Sequence, residues 1–353
     1  MYLLSLVHAN IQFFNNLQLI NQIEKTAGSI KIELCLQKYC KNMIKFGVLT
    51  NEQNIINYLP ELTNNSRFEV SVLLLSEYSS SSFHGIPVAD SFSAFITHAD
   101  GILLLGNNPN DAQWVKTALK NFKSVFLEKP FSIPTNDFQD LLKIAEEASV
   151  LVHQANSILP YSIWNILKEN EVSPTHIEIR RSFQPGMKMT RLKEILLEDI
   201  EFSIILLKGA PVKIWVNGLR SDEILHGFFT AHIESDNGET THLNYNFLQT
   251  EEKVVAELYQ PNKFYHIDYF TSGVTAYFVD KEHDLPGKEV VLQDRTTLFP
   301  GDSNDLKSEI NCFLNELEGI TKPKISLDEC FTAILTVARI CEKIPEQSKL
   351  LVH

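Results

Sequence analysis

The sequence predicts an α/β protein: a doubly wound parallel sheet, followed by an α+β domain with a mainly antiparallel, open sheet. Two observations support this fold class. Between residues 45 and 157, short apolar runs alternate with helical patterns, which is typical of a parallel sheet wrapped by helices. After residue 157, successive segments alternate apolar with polar side chains, which is typical of strands that keep one face in solvent. The predicted domains are therefore 43–157 and 158–353.

The first domain is predicted from five strand-like runs and the helical segments between them. The strands are IKFGVL (44–49), FEVSVLLLS (68–76), ADGILLLG (99–106), SVFLEKP (124–130) and VLVHQA (150–155). The helices are NEQNIINYLPELTNN, DAQWVKTALKNF and NDFQDLLKIAEEAS. In the last of these, Phe138, Leu141, Leu142 and Ala145 recur at helical spacing and share one face.

The second domain is predicted to be built mainly from strands, with two helices at its end. The strands are HIEIRRSF, PVKIWVNGL, GFFTAHIES, THLNYNFLQ, KVVAELYQ and KFYHIDYF. Asp236, Asn237 and Gly238 form a hairpin-turn signal between two of them. The last helix is predicted to open on a capping box made by Ser326 and Glu329.

Residues 1–42 precede the first clear strand and belong to no obvious strand–helix–strand unit. Their pattern is mixed, helix-like at Phe14, Leu17 and Ile20 and strand-like further on. Two hypotheses stay open for this extension. It is a mis-called start, with the native chain beginning at Met43, or it is an arm that packs on a neighbouring subunit.

Composition limits the classes of partner. The net charge is −13 and no basic cluster is present, which argues against binding to nucleic acid or to anionic membranes. Five cysteines without C-x-x-C spacing fit buried thiols in a reducing compartment, so a cytoplasmic location is expected. No apolar stretch approaches the length of a membrane span. A small-molecule ligand or a protein partner remains.

The strand at 124–130 ends on Glu128-Lys129-Pro130, and this tripeptide within its helix–strand–helix passage resembles the Gfo/Idh/MocA family of NAD(P)-dependent oxidoreductases. The resemblance covers about residues 43–345. It implies a Rossmann-like first domain that binds NAD or NADP, with Lys129 as the catalytic lysine that contacts a small sugar-like or polyol substrate. It also implies a homo-oligomer formed through the sheet of the second domain.

The same resemblance implies which residues contact the cofactor. They are Gly47, Thr50, Asn51, Glu77, Asn107, Asn108 and Glu128. However, the glycine fingerprint G-x-G-x-x-G that should follow the first strand is degenerate, because its three glycines fall on Thr50, Glu52 and Ile55. Those glycines normally allow a tight turn and a close approach of pyrophosphate to a helix start. Each of the three replacements therefore argues against ordinary cofactor binding.

A second departure concerns the acid or base. The family's corresponding helix often carries a histidine, whereas the segment RLKEILLEDIEFSIILLKG has none. Asp199 falls on the histidine position and Glu198 is adjacent, so both are candidate catalytic residues. A solvated acidic helix face is the alternative interpretation.

No metal site is predicted. A hairpin centred on Asn237 would place His232 opposite His242, but a metal site needs a third ligand at defined geometry. The sequence also lacks C-x-x-C and H-E-x-x-H spacing.

Two functions remain open at this point. The first is hydride transfer between NAD(P) and a hydroxyl or carbonyl group of a sugar-like substrate. The second is a non-catalytic, diverged family member that acts as a binding or assembly module. Fold alone does not choose between them.

Overall fold

The computed structural model describes residues 43–76, 80–106, 111–128, 135–156, 159, 161–221, 224–269, 273–279, 292–298 and 305–345. Residues 1–42 lie outside the described residues, and the two hypotheses for them stay predictions.

The first domain is built on a five-stranded sheet with the order β2-β1-β5-β6-β7. Its strands are β1 (Ile44–Asn51), β2 (Phe68–Ser76), β5 (Gly101–Leu104), β6 (Ser124–Leu127) and β7 (Val152–Gln154), with a small hairpin of β3 (Ser82–Phe83) and β4 (Ile86–Pro87) beside them. The pairs β1–β5, β5–β6 and β6–β7 are parallel. The predicted parallel sheet is therefore confirmed.

Helices connect these strands because apolar side chains recur on one face of each connecting segment. They are α1 (Glu52–Thr63), α2 (Phe92–Thr97), α3 (Asp111–Lys120), α4 (Thr135–Ala148) and α5 (Tyr161–Glu169). Phe95 of α2 is fully buried against β1, where a Cβ added to Gly47 would lie 2.6 Å from the Phe95 ring. Gly47 thus allows α2 to pack closely on the sheet.

The second domain contains an eight-stranded sheet with the order β15-β14-β13-β12-β8-β11-β10-β9. Its strands are β8 (His176–Ser182), β9 (Pro211–Ser221), β10 (Ile224–Ser235), β11 (Thr240–Asn246), β12 (Lys253–Gln260), β13 (Lys263–Asp268), β14 (Gly273–Val279) and β15 (Leu292–Leu298). Every pair is antiparallel except β8 with β11. The sheet is mainly antiparallel, as predicted, and His232 pairs with His242 in register.

One face of this sheet is covered by α6 (Met189–Leu207) and the other is open. The alternation along β8 shows the difference, because Ile177, Ile179 and Arg181 are buried while Arg180, between the last two, is exposed. Period-two alternation of this kind is what one buried and one open face require.

Two helices complete the described chain, α7 (Asp305–Leu317) and α8 (Leu327–Glu342). Phe313 of α7 packs against Phe46 and Phe126 of the parallel sheet, with ring centroids 5.7 and 5.9 Å apart. The chain therefore returns to the first sheet after forming the second. The predicted capping box at the start of α8 is present, with Ser326 and Glu329 bonded reciprocally.

Six described elements were not predicted. Three of them lie between residues 82 and 97, namely β3, β4 and α2. The others come later in the chain and are α5, β14 and β15. In the described part of the chain, no helix combines the length and the apolar character that a bilayer span requires.

Candidate active-site crevice

The carboxyl ends of β1 and β5 define a crevice at the edge of the parallel sheet. The connection from β1 leads to β2 on one side, whereas β5 lies on the other side, so the strand order reverses between β1 and β5. In open α/β sheets such a reversal separates neighbouring loops and leaves room for a ligand. Residues that follow these strands, together with Glu128 after β6, line the candidate site.

A side chain of the turn from β1 into α1 caps the start of the helix. Asn51 is the N-cap residue of α1, and its side-chain oxygen accepts a hydrogen bond from the Asn54 backbone N–H at 2.8 Å. N-capping satisfies one of the free N–H groups that a helix start would otherwise offer to a phosphate. The start of α1 is therefore capped by the chain itself.

Thr50 and Ile55 flank this cap and are both buried. Thr50 is 3% exposed, and its hydroxyl Oγ1 has no hydrogen-bond partner among the described residues. Ile55 is fully buried, so its branched side chain fills space between α1 and the sheet. A ligand can approach the backbone closely only where a residue has no side chain, and both of these positions carry one.

Glu128, directly after β6, links α1 to the loop after β5 through its two carboxylate oxygens. Its Oε1 accepts a hydrogen bond from the Tyr58 hydroxyl at 2.6 Å, and its Oε2 accepts one from the Gly106 backbone N–H, also at 2.6 Å. Burial and the hydrogen bond to Glu128 raise the pKa of Tyr58, so the phenol stays protonated and acts as donor. One carboxylate thus joins α1 to the ends of β5 and β6.

The Asn54 side chain of α1 covers the Gly106 backbone, just after β5. Gly106 has a φ of +84°, and a Cβ added to it would lie 2.7 Å from Asn54 Nδ2. The Asn54 amide therefore lies directly on the Gly106 backbone. Asn54 and Tyr58, one helical turn apart on α1, both reach across the gap between β1 and β5.

A buried carboxyl group lies where β7 ends against α6. Glu201 is 1% exposed and accepts hydrogen bonds from the side-chain amides of Gln154 and Asn156, the latter at 3.3 Å. Burial raises the pKa of Glu201 to about 8, although the two amide hydrogen bonds act in the opposite direction. A carboxyl group with a pKa in this range can exchange a proton near neutral pH.

A buried ion pair lies beside it on the same helix. Arg181 of β8 donates from Nε to both carboxylate oxygens of Asp199, at 3.1 and 3.0 Å, and from Nη2 to Glu198 at 3.4 Å. The Tyr245 hydroxyl also donates to Asp199. Asp199 is completely buried. These contacts make it the anchor of an ion pair between α6 and the large sheet.

Part of the first domain matches a known protein family. Residues 57–156 match the GFO_IDH_MocA model, described as an oxidoreductase family with an NAD-binding Rossmann fold. This part of the first domain is therefore similar to the Gfo/Idh/MocA family. The matched segment begins within α1, so β1 and the turn that carries the fingerprint positions lie before it.

Solved structures of similar fold cover nearly the whole domain pair. UDP-N-acetylglucosamine 3-dehydrogenase GnnA from Acidithiobacillus ferrooxidans is 13% identical, with a TM-score of 0.69 over 85% of this chain and 97% of that one. A dehydrogenase (MviM) from Clostridium difficile is 16% identical, with a TM-score of 0.69 over 86% and 100%. Biliverdin reductase from Synechocystis, in complex with biliverdin and NADP+, is 13% identical, with a TM-score of 0.64 over 86% and 99%. No curated protein sequence matches the chain.

The similarity to an NAD-binding family implies a dinucleotide in the crevice. The first and third fingerprint glycines are replaced by buried Thr50 and Ile55, and the helix start is capped by Asn51. Asn54 covers Gly106 on the facing loop. These residues do not form a cradle for the pyrophosphate of NAD(P), because the backbone that should contact it is covered by side chains.

The remaining predicted site residues divide into three groups. Lys129, Glu77, Asn107 and Asn108 lie outside the described residues. Gly47 lies within β1 and contacts Phe95 of α2. Asp199 and Glu198 lie together at Arg181, and Glu128 lies in the crevice. Their catalytic and cofactor-binding roles stay predictions.

Sequence reasoning missed Asn54, Tyr58, Gln154 and Glu201. The four-residue spacing of Asn54 and Tyr58 in α1 was a usable signal, since it places both on one helix face. Glu201 was recognisable only as a third acid in an otherwise apolar helix. Its amide partners at the end of β7, Gln154 and Asn156, lie 47 and 45 residues earlier, so the pairing required the fold.

Proposed function

We propose that this Gfo/Idh/MocA protein binds a small hydroxylated, sugar-like molecule in the crevice and holds no NAD(P) in the family's usual manner. The closed β1–α1 turn is the observation that supports this proposal. Asn51 caps the helix start at 2.8 Å, and Thr50 and Ile55 fill the space that glycines would leave open. The protein is then a binding member of an oxidoreductase family.

The ligand class is supported by the chemistry of the site and by a relative. Polar side chains lie where β6 and β7 end: Glu128 bonds the Gly106 N–H in the crevice, and the buried Gln154 and Asn156 donate to Glu201. Such groups pair well with hydroxyl groups, which both donate and accept hydrogen bonds. One similar structure is that of a dehydrogenase of UDP-N-acetylglucosamine, whose sugar carries several hydroxyls.

The second candidate is hydride transfer between NAD or NADP and a hydroxyl or carbonyl group of such a ligand. The family match over residues 57–156 favours it, as does the position of Glu128 directly after β6. In this candidate Lys129 contacts the substrate, and Asp199 or Glu198 serves as acid or base. The cofactor would supply the hydride chemistry.

A ligand screen with two readouts separates the candidates. Purified protein is heated with a panel of sugars, polyols and nucleotide sugars, each with and without NAD⁺ or NADP⁺, while absorbance follows reduced cofactor. We expect one ligand class to raise the melting temperature without any cofactor, and no cofactor reduction. Cofactor-dependent turnover of any panel member would establish the second candidate and refute the first.

Lys129→Ala sharpens the screen, with Lys123→Ala as its matched control. Lys123 directly precedes β6, whereas Lys129 follows it, so the two lysines flank opposite ends of one strand. Under the binding proposal, Lys129→Ala removes the ligand-induced rise in melting temperature. Under the redox candidate, the same change abolishes turnover. Lys123→Ala is expected to leave both readouts unchanged.

We also propose that two copies associate through the open face of the eight-stranded sheet. Trp215 and Phe228 are 51% and 59% exposed there, and the Phe264 and Tyr277 rings stack at 4.3 Å. Exposed aromatic groups on a flat sheet are typical of an interface core. Light scattering should give a dimer or larger assembly for the wild type and a monomer for Trp215→Glu with Phe228→Glu. A monomeric wild type would refute this association.

A further inference from the structure

A cluster of side chains of the types that bind metal ions lies between β7 and α7. His153 Nδ1 lies 2.7 Å from Glu316 Oε2, and Cys312 Sγ lies 3.4 Å from Glu316 Oε1. One ligand atom from each of the three residues lies within 4.8 Å of the others. All three side chains are buried, with His153 and Cys312 each 2% exposed.

We propose that His153, Cys312 and Glu316 form a structural zinc site. An imidazole nitrogen, a thiolate and a carboxylate oxygen supply three donor atoms of the kinds that Zn²⁺ binds, and a water molecule would complete the tetrahedron. Cys312 and Glu316 are one turn apart on α7 and so project from the same helix face. The ion would join α7 to β7, two elements far apart in the sequence.

The surroundings of His153 match those of a metal-bound histidine. If Nδ1 binds the metal, Nε2 carries the proton and donates to Glu309 Oε2 at 3.2 Å. Glu309 is held in turn by Lys324 Nζ, 2.6 Å from its other oxygen. A carboxylate behind a ligating histidine fixes the ring orientation and strengthens the ligand. Glu309 and Lys324 therefore act as the outer support of the site.

The charges of the cluster balance with the ion in place. The ion's two positive charges offset the Cys312 thiolate and the Glu316 carboxylate, and Lys324 offsets Glu309. A competing arrangement also balances: a protonated His153 donates from both ring nitrogens to the two glutamates, and Cys312 remains a thiol. Hydrogen bonds to Glu309 and Glu316 do raise the pKa of His153, although burial opposes this. Measuring the metal content of the purified protein distinguishes the zinc-bound arrangement from the protonated one.

The test is metal content, with a buried cysteine elsewhere as control. Protein from zinc-supplemented cells, purified without chelator, is analysed by mass spectrometry of the metal. We expect about one zinc per chain in the wild type and in Cys330→Ser, since Cys330 lies on α8 and is equally buried. Cys312→Ser and His153→Gln should lose most of the zinc.

Cobalt reconstitution guards against a variant that loses metal by misfolding. Cobalt bound to the wild type should give a near-ultraviolet thiolate charge-transfer band, and Cys330→Ser should keep it. Circular dichroism checks that Cys312→Ser is folded while lacking the band. A wild type that binds neither zinc nor cobalt, or a cobalt complex whose band survives Cys312→Ser, would overturn the proposal.

Discussion

The β1–α1 turn and the carboxyl ends of β6 and β7 differ in how their polar groups are bonded. At the β1–α1 turn, the Asn51 side chain caps the start of α1, and the Thr50 hydroxyl is buried without a partner among the described residues. At the β6–β7 end, Glu128 and Glu201 each accept two hydrogen bonds from other elements. The first region presents a helix start capped by its own side chain, and the second holds a dense set of charged and amide groups.

The difference teaches that a parallel sheet of this kind forms with very different polar groups in the loops at its carboxyl edge. The parallel sheet needs only buried apolar strands, and these are intact. Dinucleotide binding needs glycine at particular turn positions, because side chains there exclude the ligand. The fold itself does not need glycine at those positions, since Thr50 and Ile55 are accommodated in the core.

Removing the cation from the buried ion pair should have the largest effect. Arg181→Met leaves Asp199 and Glu198 without their shared partner in a buried site, and we expect the free energy of unfolding to fall by about 3–5 kcal/mol. Arg180→Met is the control. Arg180 directly precedes Arg181 in β8 but pairs with Glu257 on the open face of the sheet. Its cost should stay below about 1 kcal/mol. Equal losses in urea unfolding would contradict the ion-pair account.

Glu201 should make stability depend on pH. Its pKa is raised from 4.5 to about 8, so the folded protein holds a proton that the unfolded chain releases across this window. Stability is therefore lost as pH rises from about 5 to about 8, by a few kcal/mol.

Glu201→Gln tests this assignment because it mimics the protonated acid. The variant should lose less stability than the wild type between pH about 6 and about 9, measured by melting temperature. Parallel pH profiles for the two proteins would show that Glu201 does not titrate in this range.

The brace across the crevice should contribute less. Tyr58→Phe removes the hydroxyl that donates to Glu128 at 2.6 Å, and we expect a loss of about 1–2 kcal/mol. Tyr259→Phe is the control, since Tyr259 also donates to a glutamate, Glu257, at 2.7 Å. Its loss should be smaller, because Arg180 and His266 also bond Glu257. A larger loss for Tyr259→Phe would contradict this ranking.

The helix cap should give the smallest effect. Asn51→Ala removes the side-chain oxygen bonded to the Asn54 N–H, which should cost about 1 kcal/mol. Asn51→Gly should cost only a few tenths, because glycine is itself a tolerated N-cap residue. If both variants unfold at the same denaturant concentration as the wild type, the cap does not hold the turn.

Much of the fold followed from local patterns. The strand predicted at 68–76 matches β2, and the capping box at Ser326 opens α8. Both depend on neighbouring residues, so the sequence displays them directly. The β15 strand was missed because LQDRTTL has almost no alternation of apolar and polar side chains.

The site was less accessible to sequence reasoning. The family resemblance supplied the fingerprint, and its positions could then be counted from Gly47, which predicted the degenerate turn. In contrast, Tyr58 meets Glu128 across 70 residues, and His153 meets Glu316 across 163. Such pairings arise from strand order and from the return of α7 to the first sheet, which no local pattern encodes.

The central claim is that the β1–α1 turn does not hold a dinucleotide, and calorimetric titration with NADH and NADPH tests it directly. We expect no binding heat for the wild type up to millimolar cofactor. Thr50→Gly combined with Glu52→Gly, which restores two fingerprint glycines, should bind more tightly than the wild type. Micromolar binding of either cofactor to the wild type would contradict the claim.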